Sequence, residues 1–226
     1  MPDGAITALI AETFPLFRGA DDGVFEDATH ASGMADLTNR HSGWGNGLFD
    51  FNNDGWKDLF TANSHVNDII QEFEDTTPYR EPNRVFVNRG DGTFQDVSKG
   101  AGQQFQTARA HRGCAFADFN RDGKVDVVVA SLGEPAELWE NISPNENRWI
   151  NIRLVGTSSN RDGIGARVIV GEQDNVGEQH NSMTSAVSYA SSSHDGVHFG
   201  LGTAEVVEKI TIHWPGGSVQ TVENVA

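Results

Sequence analysis

The stretch "DFNNDGWKD" at 50–58 returns as "DFNRDGKVD" at 118–126. Each copy carries an acidic or amide oxygen at loop positions 1, 3 and 5, a glycine at 6 and an aspartate at 9. Self-similarity constrains a fold more than any local propensity, because each repeat must be the same supersecondary unit. A second pair agrees with the first: "DDGVFEDATHASG" at 21–33 returns as "GDGTFQDVSKGAG" at 90–102. The offsets are 68 and 69, so one deletion brings both pairs into a single alignment. "RVFVN" (84–88) then aligns with "ELWEN" (137–141) at an offset of 53, which assigns a 15-residue insertion to "SHVNDIIQEFEDTTPYREP", with a short helix expected at 67–74.

The apolar runs flanking the acidic loops have strand character: "GLFDF" and "DLFTA" around the first, "CAFADF" and "DVVVAS" around the second. Short strands with turn signals at this spacing predict an all-β chain whose first part, residues 1–146, is a partial β-propeller of about two blades. Blades bury their faces only against neighbouring blades, and rings commonly have about 4 to 8. Residues 1–146 are therefore expected to be a fragment of a larger ring, or an open arc capped by residues 147–226. In that second part, "WINIRLV", "ARVIVGE" and "ITIHW" alternate and Pro215-Gly216-Gly217 marks a hairpin, predicting a small antiparallel β domain.

The loop spacing has a chemical reading. Calcium takes about 6 to 8 hard oxygen ligands, so a short segment must curl around it with alternate side chains inward and a glycine at the sharp turn. The candidate ligands are Asp50, Asn52, Asp54, the Trp56 carbonyl and Asp58 in the first loop, and Asp118, Asn120, Asp122, the Lys124 carbonyl and Asp126 in the second. The loops differ from an EF-hand, whose twelfth position is a bidentate Glu; here that position is Thr61 or Val129, so the ninth-position aspartate must close the site. Magnesium, which prefers a small octahedron with retained waters, fits less well. Three carboxylates in one tight loop repel one another without a cation, and two Ca²⁺ ions would bring the formal charge from -16 to -12.

That net charge repels nucleic acid and anionic membrane surfaces, and no apolar run is long enough to span a bilayer. The opening "MPDGAITALIAETF" lacks the basic start and long apolar centre of a secretion signal, which leaves export of a longer parent open. The single cysteine, Cys114, lies in the apolar run "GCAFADF" and reads as a small core residue. The sequence has no G-x-S-x-G, no H-E-x-x-H and no phosphate-cradling glycine loop, so no enzyme is expected. Arg89-Gly90-Asp91 spells an adhesive tripeptide, but the repeat's own turn already requires the Gly and Asp. His194, His198 and His213 lack a metal-binding spacing, and Trp214 reads as a core residue beside a hairpin.

With "DFNNDGWKDLF", "DFNRDGKVDVVVA" and "NRGDGTFQDVS" in view, the repeats resemble FG-GAP/VCBS repeats, the calcium-bearing blades of integrin-α-like propellers. "NRWINIRLVGTSSNRDGIGARVIV" at 147–170, "HFGLG" at 198–202 and "ITIHWPGGSVQTV" at 210–222 resemble the ASPIC/UnbV domain that follows such repeats in the cartilage acidic protein family and its bacterial relatives. The resemblance implies an extracytoplasmic location (secreted, periplasmic or cell-surface), calcium binding and no established catalysis. It also implies that the last domain continues by a further short strand beyond Ala226. The expected function is a calcium-stabilised binding or adhesion module whose partner is an extracellular protein or glycan. The alternative is a carbohydrate-binding propeller, part of a polysaccharide-processing enzyme.

Overall fold

Alternating apolar residues make strands, and the turn residues between them set where each strand reverses. The computed structural model describes residues 3–20, 23–171, 177–193 and 196–226, and the chain is all-β. The first sheet is β1 (Gly4–Ala5), β2 (Leu16–Gly19) and β3 (Phe25–Asp27), paired antiparallel in that order. The second is a four-stranded antiparallel meander: β4 (Gly43–Phe49), β5 (Asp58–Asn63), β6 (Arg84–Asn88) and β7 (Phe94–Asp96). The third is β8 (His111–Ala117), β9 (Asp126–Ser131) and β10 (Glu134–Trp139). These are blades of a partial propeller.

The repeat arithmetic maps onto the strands. β8 and β9 stand 68 residues after β4 and β5, and β7 stands 69 after β3. The first sheet thus carries the equivalents of a blade's last three strands, and the third those of its first three. Shared hydrogen bonds support this. Thr29 N–H donates to Asp27 Oδ1 and Ser98 N–H to Asp96 Oδ1, both at 2.8 Å. Leu16 N–H donates to Thr29 Oγ1 at 3.0 Å and Val85 N–H to Ser98 Oγ at 2.9 Å. The insertion lies between β5 and β6, where a 3₁₀ turn occupies Ile70–Glu72; the matching connection from β9 to β10 is tight.

Each blade's apolar face finds the next blade. Leu16 from the first sheet packs with Met34, Leu59, Phe86 and Phe94. Phe51, Phe60 and Ala62 pack with Cys114, Phe116, Val127 and Val129 across the next gap. Phe49 and Phe116 stack there at 4.6 Å between ring centroids and 27°. Burying a side chain of this size is worth about 1.5–3 kcal/mol, so the stacked faces hold the arc together.

In the C-terminal part, β11 (Arg148–Ile152) pairs with β14 (Val197–Gly202), and β13 (Gln179–Ser182), β12 (Arg167–Val170), β15 (Val207–His213) and β16 (Val219–Val225) form a second sheet in that order. Both sheets close over one core that includes Leu154, Val168, Phe199 and Ile210. Among the described residues, no helix is long and apolar enough to cross a membrane.

Candidate functional site

The two acidic loops join the first and second strands of their blades, and their hydrogen bonds match one for one. In the first loop, Asp54 N–H donates to Asp50 Oδ1 at 3.1 Å and to Asn52 Oδ1 at 3.0 Å, and Gly55 N–H donates to Asp50 Oδ2 at 2.7 Å. In the second, Asp122 N–H donates to Asp118 Oδ1 at 3.1 Å and to Asn120 Oδ1 at 3.0 Å, and Gly123 N–H donates to Asp118 Oδ2 at 2.8 Å. Trp56 and Lys124 N–H groups donate to the fifth-position aspartates, both at 2.9 Å. The fourth residue is left-handed in both loops, Asn53 at φ 57° and Arg121 at φ 63°, and the glycines follow at 93° and 85°.

The ninth-position aspartates close the loops. Asp58 accepts from Phe51 N–H at 3.0 Å and from Asn88 N–H at 2.9 Å; Asp126 accepts from Phe119 N–H at 3.0 Å and from Asn141 N–H at 2.7 Å. Asn88 and Asn141 begin the chain's exit from the aligned β6 and β10 runs, so the ninth-position aspartate also ties the loop to the third strand.

Asp50, Asp58 and Asp126 are buried, whereas Asn120 and Asp122 are exposed. Burial, with the Asp54 charge adding to it, pushes the Asp50 carboxyl up to about 7. Burial likewise raises Asp58 to about 8, with the Asp50 and Asp54 charges contributing, and raises Asp126. Such a set of desolvated, mutually repelling oxygens suits a hard cation. As the side chains stand, no group of three or more His, Cys, Asp or Glu among the described residues is arranged to hold a metal, and the loop carboxylates accept from backbone N–H groups. A carboxylate has about four lone-pair sites, so an oxygen that accepts one N–H retains capacity for a cation. The donor chemistry therefore fits.

Sequence reasoning missed what surrounds the first loop. Asn53 occupies a non-ligand position and is 1 % exposed. Its amide donates to the Gly123 carbonyl in the second loop at 2.9 Å, and its Oδ1 accepts from His198 Nε2 at 2.8 Å. Its carbonyl accepts Gly202 N–H at 2.8 Å, and Asn52's carbonyl accepts Asn147 Nδ2 at 2.9 Å. A Cβ at Gly200 would lie 2.0 Å from Asp50 Oδ2, and one at Gly123 would lie 1.7 Å from the Trp149 ring, which stacks on His198. Burial pushes the His198 imidazole down to about 4, so it is neutral in the fold. Lys57, at loop position 8, reaches Asn181 Oδ1 at 3.2 Å; burial lowers its ammonium's pKa, opposed by the charges of Asp3 and Asp50. The C-terminal domain thus sits directly on the loops. The only legible signal was the asymmetry of the fourth position, Asn in one loop and Arg in the other.

The remaining candidates are structural. Cys114 is buried beside Ser188 Oγ at 3.1 Å, and burial pushes its thiol up to about 12. Asp91 accepts from Thr93 N–H and hydroxyl within the β6–β7 turn, so its carboxylate is folded back onto the hairpin. Trp214 packs against the C-terminal core. His194 and the Asp21–Asp22 end of the first "DDG" turn lie outside the described residues.

Comparison with known proteins gives two family matches. Residues 50–129 match the FG-GAP-like repeat and residues 156–226 match the ASPIC and UnbV family. Cartilage acidic protein 1 of Xenopus tropicalis is 38% identical over 96 residues, covering 42% of this chain and 14% of that protein. The Homo sapiens protein of the same name is 48% identical over 62 residues, 27% of this chain and 9% of that protein. The Mus musculus one is 45% identical over the same length. The matched stretches are a small part of these relatives. The chain thus carries an FG-GAP-like repeat over residues 50–129, followed by an ASPIC and UnbV domain over residues 156–226.

Proposed function

We propose that the chain is a calcium-stabilised, extracytoplasmic binding module, with Ca²⁺ held by Asp50, Asn52, Asp54, the Trp56 carbonyl and Asp58 in one loop and by Asp118, Asn120, Asp122, the Lys124 carbonyl and Asp126 in the other. The observation that carries this reading is the bond-for-bond identity of the two loops, including left-handed fourth residues of different type. A turn needed only for chain reversal would not have to place the same five oxygen positions twice. The ion's part is structural: it would neutralise carboxylates that the fold buries at a cost. Calcium sites of the extracellular class have affinities of about 10⁻⁴ to 10⁻³ M and are filled only outside the cytoplasm, a setting that the cartilage proteins' name also fits. Binding rather than catalysis is the reading, with an extracellular protein or glycan as partner; hits on a glycan array would assign the latter.

Titration calorimetry should find two calcium ions per chain, and at about 100 times the dissociation constant each should add about 2.7 kcal/mol to stability. Unfolding that is indifferent to calcium and chelator would refute the assignment.

A further inference from the structure

We propose that the open edge of β10, with the cavity beside it, binds an extended segment of a partner protein in which an aromatic residue is followed by lysine. This rests on the reading of the chain as a binding module and narrows its partner to a peptide. Two blades differ in a way that points there. The second sheet runs β4-β5-β6-β7 while the third ends at β10, so among the described residues no strand lies along the outer edge of β10. In the second blade that place is taken: β7 pairs with β6 antiparallel, with Phe94 opposite Asn88 and Asp96 opposite Phe86. Phe94 is buried with Leu16, Leu59 and Phe86 in the gap between the first two blades. At offsets of 69, 68 and 53 the residues matching those last three are Val85, Val127 and Trp139. All three line a cavity of about 610 Å³ together with Phe105 and Ile142. The cavity therefore lies where a counterpart of Phe94 would stand.

Ligand pockets commonly measure about 300–1,000 Å³ and are lined mainly by apolar and aromatic side chains. Polar groups on this wall are engaged within the protein: the Asn141 amide donates to the Phe51 and Val125 carbonyls, and Ser143 Oγ donates to Asn141 Oδ1. An aromatic side chain suits such a space, and an open strand edge supplies the main-chain pairing of strand addition. Neighbouring charges set the rest of the segment. In the register of β7 on β6, the residue after the aromatic stands opposite Glu140, as Gln95 stands opposite Val87. Glu140 is exposed, and across a strand pair a cation opposite it is favourable where an acid is not. The following residue takes the place of Asp96, whose carboxylate lies 3.9 Å from Arg84. Glu137 is the residue matching Arg84, so an acid gains no partner there. The chain's own β3, Phe25–Asp27, would set Glu26 against Glu140 and Asp27 beside Glu137. Charge thus argues against a second copy as the occupant and for a lysine-bearing partner.

The probe is a synthetic copy of residues 91–98 carrying Gln95→Lys and Asp96→Thr, titrated against the full chain by calorimetry up to about 1 mM. It should bind saturably at one site per chain. Alanine in place of its phenylalanine should weaken binding by about tenfold or more, and glutamate in place of its lysine should weaken it severalfold. Two changes on the protein fall at exposed side chains, Ile142 and Leu138. Ile142→Glu places a charge at the cavity, and Leu138→Pro removes the edge N–H that matches Val85 N–H, the donor to Ser98 Oγ. Each should weaken the peptide by about fivefold or more. The proposal fails if the peptide does not bind saturably, if the alanine peptide binds equally well, or if both protein variants bind as the parent does. A dimer that both variants dissolve, seen by sedimentation without peptide, overturns it in favour of a second copy. Glycan-array hits by a chain that ignores the peptide keep the binding reading and remove this partner. Calcium uptake is titrated separately, so peptide binding by a chain that takes up no calcium removes only the metal assignment.

Discussion

At the scale of single residues, the acidic loops hold carboxyls whose ionisation opposes folding at neutral pH. Asp50 and Asp58 are raised to about 7 and about 8 from an ordinary value near 3.8. A carboxyl raised in the fold contributes stability that is complete below its unfolded pKa and lost as pH rises through its folded one. His198, held down at about 4, has the opposite sign: its contribution is present above its ordinary value of 6.5 and lost as pH falls toward 4. Above about pH 6.5 the carboxyls are opposed only by buried Lys57, whose lowered pKa acts in the other direction, and with two carboxyls against one lysine the melting temperature in chelator should fall toward about pH 8.5. A melting temperature that rises over that window would contradict the burial of these groups. With calcium present the fall should vanish, because the ion competes with the proton for the same oxygens. The matching geometry of the two loops was legible because the spacing of their residues is a local property of the chain. The burial that shifts Asp50 and Asp58 was not, since it comes from β6 and from a domain that begins about a hundred residues later.

At the scale of elements, the strands followed from alternation and the 68- and 69-residue offsets, and so did the insertion between β5 and β6. β13 escaped notice: Gln179–Ser182 is a polar tetrapeptide that becomes a strand only because β12 offers it an edge. The glycines of the turns make the distinction between local and tertiary demands testable. Gly133, between β9 and β10, has φ 71° and open space around it, so alanine there meets only the left-handed backbone penalty of about 1–2 kcal/mol. Gly123 has φ 85° and the Trp149 ring pressed against it, so alanine adds overpacking of about 1–3 kcal/mol on top. Chemical denaturation should therefore find Gly123→Ala less stable than Gly133→Ala by at least about 1 kcal/mol. Equal losses would mean that Trp149 does not rest on the loop.

At the scale of the whole molecule, the first acidic loop is where three bodies meet. Asn53 links it to the second loop through the Gly123 carbonyl, and to the C-terminal domain through His198 and Gly202. The asymmetry of the fourth loop position marks this junction without naming its partners, because they are about 145 residues apart and a hydrogen bond at that separation leaves no periodicity. Further contacts tighten it: Cys114 and Phe116 N–H groups on β8 donate to Ser188 and Ser193 Oγ at 3.1 and 3.0 Å, so the C-terminal domain also binds the backbone of the third blade. Order in the loop and docking of the domain must then be coupled, since Asn53 cannot hold φ 57° and its three partners independently. Calcium that fixes the loop should consequently slow amide exchange at Gly202, whose N–H donates to Asn53, and along β14. The edge strand β16, exposed and remote from the loop, serves as the internal control. Hydrogen exchange read by mass spectrometry should show protection gained at 197–202 well beyond any change at 219–225 when calcium replaces chelator. Equal gains at both would reduce the ion's effect to a general stabilisation and break the link between the loop and the domain seated on it.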